Sequence, residues 1–279
     1  MKPERVKIKS SGYSGSCYVF KWEKVKSTGY QILYSKNKDM SKGSKVVTVK
    51  GGQTTYKKVK LSSKTKYYYR VRAFRKVDGK TVFGEWSDKY VTIFSNVYAE
   101  YTTYFNSPAG RTQNIKQACK YIDGTVLSPG ETFSFNKVVG QRTPDRGFAV
   151  ATIFSGGGVA SGYGGGVCQV STTIFNAVLY ANLPIVERHQ HVMKVDYIPA
   201  GRDAAISWGT QDLKFKNNLD TDIKISAKVY DNSRIVIKLM TSTSVKPKKV
   251  SLNVSQGSGS YTLRRYVDGK VNYTTYSYY

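Results

Sequence analysis

Apolar and polar positions alternate in short runs through the first third of the chain. Tyr18-Val19-Phe20-Lys21-Trp22, Gly29-Tyr30-Gln31-Ile32-Leu33-Tyr34, Val46-Val47-Thr48-Val49 and Tyr67-Tyr68-Tyr69-Arg70-Val71-Arg72-Ala73 each show the two-residue period of a half-buried strand. Gly51-Gly52 and Asp78-Gly79 separate several of them with turn chemistry. The pattern predicts a small all-β sandwich over residues 1–94. After Phe94-Ser95-Asn96 the period lengthens. Ile115, Ala118 and Ile122 predict a helix over Thr112–Ile122, and Val170, Ile174, Ala177, Val178 and Ala181 predict another over Cys168–Ala181. Strands are expected near His191–Tyr197, Ala204–Trp208, Ile223–Tyr230 and Arg234–Lys238, the last two joined by a hairpin turn at Asp231-Asn232-Ser233. Helix and strand are mixed without βαβ alternation, so residues 95–242 are expected to form an α+β domain. Residues 243–279 form a tyrosine-rich tail with one hairpin signal, Val267-Asp268-Gly269-Lys270. It is expected to be an edge hairpin on the core domain or an aromatic, sugar-contacting surface.

Ser161-Gly162-Tyr163-Gly164-Gly165-Gly166-Val167-Cys168-Gln169-Val170-Ser171-Thr172-Thr173 places one cysteine just past a flexible glycine turn, at the start of the second helix. Unsatisfied N–H groups and partial positive charge at a helix N-terminus stabilise an anion, so a thiol there ionises more readily and becomes a nucleophile. The same N–H groups suit the oxyanion of a tetrahedral intermediate. Gly165, Gly166 and Gln169, beside the cysteine, are expected to contact substrate. The competing reading of Cys168 is a small packing residue. Both histidines of the chain, His189 and His191, follow shortly after, two apart in the expected strand and so on one face. One of them is the expected base, His191 ahead of His189. Arg202 is a candidate receptor for a substrate carboxylate, and Asp203 either orients the histidine or pairs with Arg202. The glycines do not form a phosphate loop, because no Gly-Lys-Ser/Thr follows them.

Gly164 through Thr173, Glu187-Arg188-His189-Gln190-His191, Gly201-Arg202-Asp203-Ala204, Pro129-Gly130-Glu131-Thr132-Phe133-Ser134-Phe135-Asn136 and Asn217-Asn218 together resemble the VanW-like family, in unbroken order from about Tyr104 to Lys238. That resemblance implies an L,D-transpeptidase of peptidoglycan, with Cys168 as nucleophile and His191 as base. Trp22 and Leu61 through Tyr67 resemble the core tryptophan and tyrosine corner of fibronectin type III domains. This implies an immunoglobulin-like N-terminal sandwich that spaces or docks its neighbour and performs no catalysis.

Charge adds an address. The chain carries 44 Lys and Arg against 18 Asp and Glu, a net charge of +26. More than half of the basic but only a third of the acidic residues precede residue 95. Such a surface favours polyanions, among them the teichoic acids of a Gram-positive wall. Nucleic acid is not expected, since zinc spacing, an RNP-like motif and a basic helix are all missing. Three cysteines cannot all pair within the chain; Cys17 and Cys119 are expected to be packing residues, which leaves Cys168 free to react. No run reaches the length of a membrane span, and no apolar segment follows Met1-Lys2-Pro3-Glu4. The chain therefore reads as a mature, extracellular, wall-associated piece without its export signal. No cofactor is implied. Three readings follow: a cysteine L,D-transpeptidase acting on peptidoglycan stem peptides, a cysteine L,D-carboxypeptidase or endopeptidase, and a non-catalytic wall-binding protein.

Overall fold

Alternating aromatic and polar residues write most of the computed structural model as antiparallel sheet. It describes residues 1–279 apart from 15–16, 61–66, 90–93, 95, 156–157 and 242–244. The chain divides into two units, Met1–Ile93 and Phe94–Tyr279. In the first, strands β1 (Ile8–Ser14), β2 (Cys17–Trp22) and β5 (Tyr56–Lys60) form one sheet in the order β1-β2-β5. Strands β3 (Gly29–Ser35), β4 (Lys45–Lys50), β6 (Tyr68–Val77) and β7 (Lys80–Phe83) form the other, in the order β4-β3-β6-β7. Phe20 and Trp22 from one sheet meet Tyr30, Ile32, Tyr69 and Val71 from the other in a shared core. Asp78 and Gly79 both take positive φ, 50° and 74°, in the tight turn joining β6 to β7. Most of the expected tyrosine corner, residues 61–66, and the Cys17 side chain lie outside the described residues.

In the second unit, β8 (Asn96–Tyr104), β9 (Val126–Leu127), β15 (Ile223–Tyr230) and β16 (Arg234–Thr241) form an antiparallel sheet in the order β8-β16-β15-β9. Asp231 and Asn232, both near φ 50°, close the expected hairpin between its two long strands. Helices α1 (Ala109–Ile122) and α3 (Val167–Tyr180) pack on this sheet and on each other. Helix α3 is buried at every residue from Gln169 to Leu179, its polar side chains included, so it is the central element of the unit. The short strands β10 (Thr132–Ser134), β13 (Ile185–Glu187) and β14 (Lys214–Lys216) form a small sheet in the order β10-β14-β13, and the short helix α2 (Phe135–Val139) follows β10. The hairpin of β11 (Val150–Ser155) and β12 (Gly158–Tyr163) lies beside the N-terminal end of α3.

Two departures from the expected elements bear on function. The strands expected over His191–Tyr197 and Ala204–Trp208 are not formed, the second being reduced to isolated bridges at Ala205 and Ser207. Residues 190–200 run as bends, turns and irregular backbone, beside an isolated bridge between His189 and Ala205. The reason is local: the Asp203 carboxylate captures the His191 N–H at 2.7 Å, in place of a ladder partner. The stretch after residue 243 is more than one hairpin. Strands β17 (Val250–Gly257), β18 (Ser260–Val267) and β19 (Lys270–Tyr278) form a three-stranded meander whose Leu263 joins the main core. Asp268 and Gly269 make its second turn with φ of 49° and 83°. Among the described residues no helix is long and apolar enough to cross a membrane.

Candidate active site

Cys168 is the second residue of α3, and the turn before it can be made only of glycine. Gly164 and Gly166 have φ of 87° and 99°, and a Cβ on Gly165 would stand 2.2 Å from the Thr152 carbonyl oxygen of β11. The turn therefore lies flat against the β11–β12 hairpin and delivers the thiol to the floor of a cavity of about 680 Å³. The thiol donates to the Ile206 carbonyl at 3.6 Å and hydrogen-bonds His191.

His191 comes from the irregular segment and is held at its other ring nitrogen. Its Nδ1 lies 2.7 Å from Asp203 Oδ2, the oxygen that also accepts the His191 N–H. Asp203 is itself fixed by the polar side chains of α3. Ser171 Oγ donates to the Ala204 carbonyl at 2.6 Å, Thr172 Oγ1 accepts from the Ala204 N–H at 2.9 Å, and Asn176 Nδ2 donates to the Arg202 carbonyl at 2.9 Å. The backbone on both sides of Asp203 is thus stitched to the helix that carries Cys168. Buried polar groups on an apolar helix are expensive unless paired, and here the pairing sets the distance between nucleophile and acid.

The remaining oxygen of Asp203, Oδ1, accepts from Arg188 Nη2 at 2.7 Å and from the Tyr279 hydroxyl. Arg188 and Asp203 side chains are only 3% and 1% exposed. Arg188 also donates from Nε to the Asp203 carbonyl, and from Nη1 and Nη2 to the Tyr276 carbonyl and Ser277 Oγ of β19.

The electrostatics follow from this wiring. Burial pushes the Asp203 carboxyl up, but the His191 hydrogen bond, the Arg188 charge and the Tyr279 hydrogen bond outweigh it and bring the value down to about 2. Burial pushes His191 down, but hydrogen bonds to Asp203 and Cys168 raise it to about 9. Burial pushes the Cys168 thiol up, but the hydrogen bond and charge of His191, with the Arg142 charge, leave it below its ordinary value. A thiol lowered beside an imidazole raised is the arrangement that favours a thiolate–imidazolium pair. Cys119, on α1, is the contrast: burial pushes it up to about 12.

Sequence-predicted residues divide clearly. Cys168, His191 and Asp203 come together, and Gly165, Gly166 and Gln169 line the same cavity. Gln169 does so from a buried position, accepting from Arg111 Nη2 at 2.7 Å and donating to the Tyr104 carbonyl at 2.8 Å. His189 is turned away, its Nε2 paired with Glu187 Oε1 at 2.9 Å. Arg202 does not line the cavity: its Nε donates to Asn176 Oδ1 at 2.9 Å and its guanidinium lies over Tyr101 and Tyr180. Among the described residues the arginines that do line it are Arg111, from the first turn of α1, and Arg142, from the irregular loop after α2, neither marked by sequence spacing.

Residues 110–240 match the family described as VanW like protein. The second unit carries a VanW-like domain. Over 151 residues the chain is 46% identical to the "Uncharacterized protein YoaR" of Bacillus subtilis (strain 168), covering 54% of this chain and 50% of that protein. Over 117 residues it is 36% identical to the "Vancomycin B-type resistance protein VanW" of Enterococcus faecalis (strain ATCC 700802 / V583), covering 40% of this chain and 42% of that protein. The chain thus spans about half the length of these curated relatives or less. Cys168, His191, Asp203, Arg188 and Arg142 all fall inside the VanW-like match, whereas Ser277 and Tyr279 lie beyond it.

Proposed function

We propose that the VanW-like unit is a cysteine acyltransferase of the cell wall, an L,D-transpeptidase acting on peptidoglycan stem peptides. The observation that carries this reading is the linear array of Cys168 thiol, His191 imidazole and buried Asp203 carboxylate at one end of a cavity. The Cys168 thiolate attacks the carbonyl carbon that joins the L-centre of the third stem residue to the fourth, D-configured residue. A sulfur–carbon bond forms, and the oxyanion is met by the N–H of Cys168 at the start of α3. The carbon–nitrogen bond then breaks, and imidazolium His191 gives its proton to the departing amine. An amine of a second stem attacks the resulting thioester, His191 takes its proton, and the thiolate leaves. The product is a 3–3 cross-link. Asp203 holds the ring in the orientation both steps need.

Exposed Tyr163, Val192 and Trp208 at the cavity give a peptide apolar surface to lie on. The cell-wall setting is supported by the vancomycin-resistance name of one relative, and an extracellular, wall-associated location follows from a peptidoglycan substrate. For the first unit, two antiparallel sheets sharing a core around Trp22 support the fibronectin type III-like reading. Lys36, Lys38, Lys42 and Lys89, which surround one surface depression, support contact with anionic wall polymers.

Product analysis tests the reading. With tetrapeptide-bearing muropeptides the protein is expected to release the terminal D-amino acid and form a product of dimer mass, and Cys168→Ala is expected to do neither. Tripeptide as sole product, even at high acceptor concentration, makes the enzyme an L,D-carboxypeptidase. Neither product with any stem length leaves the wall-binding reading.

A further inference from the structure

The cavity beside Cys168 carries positive charge in its wall, felt by the thiol and by Asp212. Arg111 and Arg142 line it, and among the described residues no Asp or Glu does. Arg111 is committed to the frame, donating from Nε to Ser107 Oγ at 3.0 Å and from Nη2 to Gln169 Oε1 at 2.7 Å. Arg142 is only half committed. Its Nη1 donates to Asn136 Oδ1 at 2.8 Å and to the Gly140 carbonyl at 3.1 Å, while Nη2 is buried and has no hydrogen-bond partner among the described residues. A buried guanidinium N–H without an acceptor is costly, so the site is incomplete as it stands. The nearby carboxylate of Asp212 does not complete it. Its two oxygens accept from the N–H groups of Asn136 and Leu213 and from Ser134 Oγ.

Arg142 is also fixed relative to the nucleophile. Its Cβ and Cγ pack where a Cβ on Gly164 would stand, 2.8 Å away, so the side chain is wedged against the glycine turn that presents Cys168. Asn136, which anchors Nη1, is in turn held by the Ser207 and Gln211 carbonyls at 3.0 and 2.8 Å. The guanidinium therefore has a fixed stem, one unused donor and a place beside the cavity that holds the thiol. Because that donor is itself buried, a carboxylate meets it as the guanidinium turns about its Nη1 anchor. Arg is the side chain whose fork matches a carboxylate.

We propose that Arg142 is the receptor for a free carboxylate at the end of the acyl donor, so that the cavity selects peptides ending one residue beyond the bond Cys168 attacks. This rests on the cysteine acyl-transfer reading and adds its specificity. A terminal carboxylate on the departing residue supplies the acceptor that Nη2 lacks. A peptide continuing past that residue offers a neutral amide there instead, so the site is built for exopeptidic rather than internal cleavage.

The test compares two synthetic tetrapeptide stems that differ only at the terminus, free carboxylate against carboxamide. Acyl-enzyme formation is followed by intact mass spectrometry of the full chain. The wild-type protein is expected to be acylated about ten- to a hundredfold more efficiently by the carboxylate, the usual range for losing a charge-assisted pair. Arg142→Gln is expected to abolish the preference, the two stems then being acylated alike at a rate lowered by the loss of the Arg142 charge beside Cys168, and Arg142→Lys is expected to keep part of the preference. Iodoacetamide labelling of Cys168 in each variant shows that the thiol is intact. Equal acylation of the wild type by both stems overturns the proposal without any variant having to fold. So does an equal loss on both stems in Arg142→Gln with the thiol still reactive. Acylation by neither stem in the wild type overturns the acyl-transfer reading itself, and the receptor with it.

Discussion

Tyr279→Phe isolates one strut of the site. The Tyr279 hydroxyl donates to Asp203 Oδ1 and accepts the Gly201 N–H at 3.1 Å, while its ring lies 5.7 Å from that of Tyr261. Phenylalanine keeps the ring and removes only the hydroxyl. Asp203 then drops from four donors to three, and the Gly201 N–H loses its acceptor. A hydrogen bond to a charged group contributes about 1.5–3 kcal/mol, so a loss of about 2 kcal/mol is expected. For a unit of this size that corresponds to a fall in Tm of roughly 4–8 °C. The effect has a pH signature. Asp203 is held at about 2, below its ordinary 3.8, so its ionisation stabilises the fold above about pH 4, and that contribution is lost as pH falls through about 2. Removing a donor raises the folded-state value and shrinks the contribution, so the gap between wild type and variant is widest at neutral pH and narrows on acidification. Urea denaturation followed by circular dichroism from pH 7 downward measures it. A difference below about 0.5 kcal/mol, or one that does not change with pH, refutes the claim that Tyr279 holds the carboxylate.

Other perturbations read other parts of the site. Iodoacetamide at neutral pH is expected to label Cys168 well ahead of Cys119, whose thiol burial pushes up to about 12; His191→Ala slows the labelling of Cys168 and His189→Ala leaves it unchanged, as peptide mapping will show. Gly165→Ala drives a Cβ into the Thr152 carbonyl and is expected to cost about 1–3 kcal/mol in denaturation while slowing Cys168 labelling. Arg202→Ala is expected to lower stability by about 1–2 kcal/mol through its lost bond to Asn176, yet leave the Cys168 labelling rate unchanged.

The strong periodicities carried over into structure with little change. Helices expected over Thr112–Ile122 and Cys168–Ala181 are observed over Ala109–Ile122 and Val167–Tyr180, and the turns at Asp78-Gly79, Asp231-Asn232 and Asp268-Gly269 take the positive φ their residue types invite. The cysteine was legible because three glycines before a helix have few other uses. His191 was legible only as one of two, since a period-two reading puts His189 on the same face. The choice was made by Asp203, whose side chain breaks the expected strand by taking its N–H. Arg142 and Tyr279 were not legible at all. One arrives on an irregular loop after α2 and the other at the end of a sheet far along the chain, and neither position follows from local pattern. Ser171, Thr172 and Asn176 read as small or polar helix residues, while their work, holding the backbone around Asp203, depends on a segment about thirty residues away.

Intact mass spectrometry of the whole protein mixed with a synthetic tetrapeptide stem at neutral pH bears most directly on the central claim. A thioester on Cys168 predicts an adduct whose mass equals the stem less its terminal D-amino acid, mapping to the peptide that contains Cys168 and absent from Cys168→Ala. An adduct that persists in Cys168→Ala, or turnover of the stem by that variant, contradicts the claim; so does a wild-type protein that neither forms the adduct nor releases the D-amino acid.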